Sequence, residues 1–212
     1  MARRRHPVFA RVYARASVLL DRGGIAEHRR AVVAGLGGRV LEVGAGNGRM
    51  FAHYPAGVSA VIAVEPEPRL RAAALAAART APVPIEVVDG VAESLPAAEG
   101  TFDAVVAALV LCSVPDQSAA LAEIRRVLRP DGELRFFEHV RAEQPGALRR
   151  TQRVADATLW PLLCAGCHTG RDTAAAIEAA GFEINELVRF RFPPTGPSTP
   201  ASPHIRGCAT AR

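Results

Sequence analysis

Residues Leu41–Gly48 read LEVGAGNG, and the way this stretch folds decides the architecture of the chain. The preceding residues and its first three, RVLEV, are apolar and rich in valine, which predicts a strand ending at Val43. Three glycines, Gly44, Gly46 and Gly48, follow at alternate positions. Glycine permits tight left-handed turns and close approach of a ligand to the backbone. A strand emptying into such a turn is the opening unit of an open α/β sheet, and ligands bind beyond the strand C-termini there.

Working outward, strand and helix signals alternate. GAGNGRMFAHYP leads into a short helix stopped by Pro55, VSAVIAVE is a second strand, and PEPRLRAAALAAA is a helix with proline in its first turn. VPIEVVD is a third strand, and FDAVVAALV, almost wholly apolar, is a fourth of the kind buried on both faces. DQSAALAEIRRVLRPDG is an amphipathic helix begun by Asp116 and ended by Pro130 and Gly132; ELRFFEHV is the fifth strand. Helices over 147–163 and 172–180 precede two last strands, FEINELVRF and PHIRGCATA, separated by the proline-rich surface loop PPTGPSTPASP. The expectation is a Rossmann-like α/β fold: a doubly wound, seven-stranded, mostly parallel sheet with an antiparallel last strand.

Residues 7–34 are expected to form two helices broken at Gly23 and Gly24. Phe9, Val12, Tyr13, Ala16 and Leu20 fall at helical spacing, with Arg11, Arg15 and Arg22 on other faces. Residues 1–37 are thus read as an N-terminal helical lid on the α/β body of residues 38–212, the whole forming one structural domain. The alternative for the lid is weak contact with an anionic membrane surface.

Composition narrows the function classes. All 26 basic residues are arginine, so Schiff-base chemistry, pyridoxal phosphate anchoring and a Walker lysine are excluded. The net charge of +5 is concentrated in residues 1–30, which hold eight arginines against Asp21 and Glu27. A basic arm on a near-neutral body is not the distributed footprint of a nucleic-acid binder. No secretory signal is read, because Arg11 and Arg15 interrupt the apolar run, and the four cysteines are expected as thiols in a cytoplasmic protein. Oligomeric state is not legible.

The glycine turn carries finer information. A dinucleotide fingerprint needs its third glycine at position 49, which is Arg49. Glu42, two residues before the turn, would oppose a pyrophosphate but suits a ligand with an ammonium and a sulfonium. Glu65, at the end of the second strand, can accept hydrogen bonds from both hydroxyls of a ribose. An adenosine with a cationic amino-acid tail, S-adenosylmethionine, satisfies all three.

VLEVGAGNG, AVEPEP, LPAAEGTFDAVV and LRPDGELRFFEHV, in that order, resemble the class I S-adenosylmethionine-dependent methyltransferases over roughly residues 38–190. LVLCSVPDQ, EHV, the GC of AGC and the terminal PHI resemble, more narrowly, the small-molecule thiol methyltransferases, relatives of the ubiquinone/menaquinone methyltransferases. Animal members carry an N-terminal membrane anchor, which is not expected here. The resemblance implies that Glu42, Gly44, Gly46 and Gly48 hold the methionine end, that Glu65 holds the ribose, and that Leu109 packs beside the methyl group. The acid that the family sets against adenine is replaced by Val91, with Asp89 two residues early. Adenine contact is therefore assigned to Val91 and Ala92 through packing and backbone amides. S-adenosylhomocysteine is the implied product.

The remaining signals are local. CAGCH, Cys164–His168, matches the C-x-x-C-H haem-attachment pattern, but the context argues against haem, and without a second C-x-x-C no metal is expected. Cys112, Ser113, Cys167 and His168 are assigned to the substrate pocket, with a small buried hydrophobe as the simpler reading of Cys167. His139, at the end of the fifth strand, is the catalytic candidate, as base or as substrate orienter; His204 is read as structural. A thiol of pKa about 8.5 needs less help to ionise than a phenol near 10. Methyl transfer to a small thiol is therefore the first expectation. O- or C-methylation of a quinone- or phenol-type molecule, or binding without transfer, is the alternative.

Overall fold

A computed structural model describes residues 7–211, with side chains from Phe9 onward; Arg3, Arg4 and Arg5 of the basic arm lie outside the described residues. Helix α1 (Pro7–Leu20) passes through a wide turn over Asp21–Ile25, where Gly24 takes φ +119°, into α2 (Ala26–Val33). The body then alternates: β1 (Gly38–Val43), β2 (Val58–Val64), α3 (Pro68–Ala78), β3 (Ile85–Val88), β4 (Phe102–Ala108), α4 (Gln117–Val127) and β5 (Leu128–His139). After α5 (Ala147–Asp156), α6 (Trp160–Leu163) and α7 (Thr173–Ala179) come β6 (Phe182–Arg191) and β7 (Pro203–Ala211).

The seven strands form one sheet in the order β3-β2-β1-β4-β5-β7-β6. β1 to β5 are mutually parallel, and β7 runs antiparallel to both β5 and β6, as the expected fold class requires. The order reverses between β1 and β4, which opens the crevice where the glycine turn lies. Both faces are covered. Leu41, Val43 and Phe136 belong to one core with Leu121, Ile124 and Phe182; Val40, Val106 and Phe137 belong to the other with Val33 and Phe51. Adjacent Phe136 and Phe137 therefore point to opposite cores, as the two-residue period of a strand demands.

Several helix ends depart from expectation. The helix after the glycine turn is reduced to a single tight turn at Phe51–His53. α4 stops at Val127 instead of reaching the Pro130–Gly132 stretch, because Leu128 is already extended and pairs with Phe102 of β4. Its start is as read: Asp116 accepts from the amides of Ser118 and Ala119, both at 3.0 Å. The helix expected over 147–163 is two, and Pro161, which lacks an amide hydrogen, sits in the first turn of α6. On α1 the buried face also differs. Val12 and Leu20 are exposed, whereas Ala10 and Ser17 are buried, because this helix packs on the polar glycine turn.

Candidate active site

The strand C-termini of β1, β2, β4 and β5 converge on one edge of the sheet, and each delivers a distinctive group. β1 delivers the glycine turn. Gly44 has φ +67°, and a Cβ there would overlap the Cγ2 of Val110, so the turn and the loop after β4 touch at a point only glycine can occupy. The amides of Gly44 and Ala45 both donate to the Val64 carbonyl, at 2.9 and 3.0 Å.

Two buried carboxylates flank this turn. Glu42 of β1 accepts a 2.7 Å bond from the Tyr54 hydroxyl. Glu65, just past β2, accepts from the Gly46 amide at 2.7 Å with one oxygen and from the Glu67 amide at 2.8 Å with the other. Burial pushes both up to about 7, against the opposing pull of those hydrogen bonds. The site thus holds acids that would gain from a cationic neighbour.

α1 lies across the turn. Gly46 faces the Tyr13 ring, with 3.3 Å between the position of a Cβ and Cε1. The Asn47 amide nitrogen donates to Ser17 Oγ at 3.0 Å, while the Asn47 Oδ1 is buried with no partner among the described residues. Asp21 at the end of α1 bridges Arg29 at 3.0 Å and Arg49 at 2.5 Å, which ties α1, α2 and the glycine turn together.

On the other side of the switch point, Leu109 follows β4 with φ +58°, a left-handed conformation uncommon for a leucine. Its amide is held by the Phe137 carbonyl at 2.6 Å. The next three amides, of Val110, Leu111 and Cys112, all donate to the Glu138 carboxylate at 2.9, 2.8 and 3.2 Å. Glu138 is fully buried, and burial pushes it to about 7 although the Leu111, Val110 and Cys112 amides oppose the shift. It clamps the loop that borders the crevice.

Three of the expected pocket residues meet around His139. Its Nδ1 lies 3.7 Å from the Cys112 sulfur and 3.7 Å from the Cys167 sulfur. Ser113 Oγ is 3.4 Å from the Cys112 sulfur. The Cys112 thiol is pushed well up by its hydrogen bond to Cys167 and by burial. Cys167 is pushed down by that same hydrogen bond, with His139 assisting. Among the described residues the buried indole N–H of Trp160 finds no acceptor at full hydrogen-bond distance, yet it too helps to push Cys167 down.

Other expectations fall differently. His168 stands apart from this group, its Nδ1 held 2.7 Å from the Gly166 carbonyl oxygen. His204 is buried and kept neutral, pushed down to about 3 mainly by burial; its ring meets that of His139 edge-on at 4.7 Å. Ala92 is buried and Val91 half-buried beyond β3. Asp89 pairs with Arg71 at 3.1 Å, and the same guanidinium reaches the Glu65 carbonyl at 2.7 Å. Within CAGCH, Cys167 is buried and grouped with Cys112, while Cys164 is only half-buried.

Sequence reasoning missed Tyr13, Asn47, Tyr54 and Glu138. Glu138 had a visible signal, a carboxylate closing an apolar strand. Tyr13 and Tyr54 had none, because their contacts join segments distant in the chain. The convergence of Cys112, His139 and Cys167 was hidden for the same reason: spacing along the chain gave no second pair of ligands.

Comparison with known proteins agrees with this geometry. The Methyltransferase domain family matches residues 41–136. Thiol S-methyltransferase TMT1A of Homo sapiens is 36% identical over 173 residues, covering 80% of this chain and 69% of that protein. The ubiquinone/menaquinone biosynthesis C-methyltransferase UbiE of Methylobacterium nodulans is 33% identical over 109 residues, covering 51% of this chain and 40% of that one. A methyltransferase structure from Thermotoga maritima, described as S-adenosylmethionine-dependent and a possible histamine N-methyltransferase, superposes with a TM-score of 0.70 at 21% identity. It covers 97% of this chain and 98% of its own, a likeness of fold. Among the described residues no helix is long and apolar enough to cross a membrane. With its sheet order, its glycine turn and these relatives, the chain belongs to the class I S-adenosylmethionine-dependent methyltransferases.

Proposed function

We propose that this enzyme methylates a small-molecule thiol. When bound, S-adenosylmethionine supplies a methyl carbon activated by its sulfonium. Glu42 and the glycine turn, Gly44 to Gly48, would hold its methionine end, and Glu65 its ribose. Leu109 would pack beside the methyl group, and Val91 with Ala92 would flank the adenine. The residues present fit that assignment. Two buried carboxylates would gain from positive charge or further hydroxyl donors, and the Asn47 Oδ1 is a buried acceptor without a donor among the described residues. Residues 7–33 would act as the lid, with Tyr13 excluding water from the turn.

The observation that carries the acceptor class is the surroundings of His139. A histidine that must deprotonate a phenol or a carbon acid is ordinarily oriented by a carboxylate. The adjacent Glu138 is instead spent on three loop amides, and the His139 Nδ1 faces two sulfurs. These contacts support a role for His139 in orienting a sulfur nucleophile. The names of the relatives that span most of the chain support the same reading. In the reaction the acceptor thiol gives up its proton and its sulfur gains the methyl group; the products are a thioether, S-adenosylhomocysteine and a proton.

Incubation with labelled S-adenosylmethionine and paired acceptors, each thiol beside its oxygen analogue and a quinol series, tests the class. Label should pass to the thiols. Transfer confined to quinols would replace this reading by C- or O-methylation, the second reading that the UbiE likeness favours. No transfer to any acceptor would leave a binding protein.

A further inference from the structure

Cys112, His139 and Cys167 come from three separate segments: the loop after β4, the end of β5 and the turn after α6. Their ligand atoms all lie within 4.8 Å of one another, and no fourth histidine, cysteine or carboxylate joins them among the described residues. Tetrahedral coordination with sulfur at about 2.3 Å and imidazole nitrogen at about 2.05 Å places those ligands about 3.6 Å apart. Each sulfur lies 3.7 Å from the His139 Nδ1. The separations already match two edges of a zinc tetrahedron.

The three side chains are also held in place before any ion arrives. Glu138 fixes the Cys112 amide, and Arg171 binds the Leu111 carbonyl at 2.6 Å. The Cys167 turn is docked on the Cys112 loop by the His168 amide, which donates to the Cys112 carbonyl at 2.8 Å. Gly166, at φ +88°, lies so near the Ser113 carbonyl that a Cβ would stand 2.8 Å from its oxygen, so this docking requires glycine. Both cysteines are buried while His139 is partly exposed, and among the described residues no fourth protein ligand takes the remaining position. Two thiols and an imidazole with one open position are the donor set of a catalytic zinc site.

We propose that Cys112, His139 and Cys167 bind one thiophilic divalent cation, zinc, and that its fourth position takes the acceptor thiol. This rests on the thiol reading above and adds a means of activation. Coordination deprotonates a thiol outright, and the proton passes to solvent. The bound sulfur then forms its bond to the methyl carbon as the carbon–sulfonium bond breaks, and that electron pair stays on the S-adenosylhomocysteine sulfur. The thioether product carries no charge and leaves the metal. Cys164, the other cysteine of C-x-x-C, takes no part.

The purified full-length chain should carry one zinc by elemental analysis. After chelation and reloading with Co2+ it should show thiolate-to-metal charge transfer and the intense visible bands of a tetrahedral ion, which an added thiol acceptor shifts. Cys112→Ser and Cys167→Ser should weaken Co2+ by more than the roughly 10–100-fold that loss of an outer partner costs, with circular dichroism confirming that each is folded. Should either fail to fold, His139→Gln takes its place. Cys164→Ser should retain wild-type affinity. Equal Co2+ affinity in wild type and the ligand variants would overturn the site, as would undiminished thiol methylation in excess chelator; neither would touch the thiol reading. A Co2+ spectrum of the expected kind with no methyl transfer to any thiol would instead overturn the acceptor assignment and, with it, the role given to the fourth position.

Discussion

Glu65→Gln exchanges one acceptor oxygen for a donor where the wild-type carboxylate serves two amides. Those of Gly46 and Glu67 stand at 2.7 and 2.8 Å on its separate oxygens. Glutamine can satisfy one of them; the other then faces an NH2 group. That lost amide bond lowers stability; a ribose hydroxyl's bond to the charged acceptor contributes about 1.5–3 kcal/mol, so its loss should lower affinity for S-adenosylhomocysteine roughly ten- to a hundredfold. The loss should depend on pH. Burial holds Glu65 at about 7 in the free protein, so the wild-type carboxylate is largely protonated at pH 5.5 and largely ionised at pH 8. Wild-type affinity should rise across that interval, with proton release on binding, and the variant's should rise less, through Glu42 alone. Titration calorimetry in buffers of different ionisation enthalpy reads affinity and proton release together. Equal affinity for the two proteins at pH 8 would remove Glu65 from the cofactor site.

Glu42→Gln tests the same burial as a stability effect. With a folded-state value of about 7 against an ordinary 4.5, wild-type Glu42 binds more protons folded than unfolded, so it costs stability as pH rises from about 4.5 to 7. Relative to wild type, the variant should gain up to about 3 kcal/mol between pH 5 and pH 8 in urea unfolding, and a constant difference would refute the shift. Gly44→Ala puts a Cβ into Val110 at φ +67° and should destabilise the fold by about 1–3 kcal/mol while weakening cofactor binding; a melting temperature equal to wild type would deny the contact. The protein should show no Soret band, and Cys164→Ser should leave activity and melting temperature near wild type. Covalent haem found by mass spectrometry would reverse that argument.

The sheet and the glycine turn with its two flanking acids were legible because their signals are local. LEVGAGNG joins strand, acid and turn within eight residues, and Glu65 lies where a second strand must end. Helix ends were read less well wherever strand pairing competed, as at Leu128, which bonds to β4 instead of prolonging α4. The cluster around His139 was legible only as separate candidates. Cys112, His139 and Cys167 are 27 and 28 residues apart, and only the β4–β5 pairing and the docked turn at Gly166 bring them together. The inward face of α1 was misjudged because an apolar helical stripe was sought, while the surface it covers is the polar turn at Gly46 and Asn47.

The choice of nucleophile is tested most directly by an acceptor that offers both. With trideuteromethyl-labelled S-adenosylmethionine and para-mercaptophenol, the enzyme should place the label on sulfur, and nuclear magnetic resonance of the product should show a single S-methyl resonance. An O-methyl or ring-methyl product formed by the enzyme in preference to the thioether would contradict the assignment of His139 and its two cysteines to a sulfur acceptor.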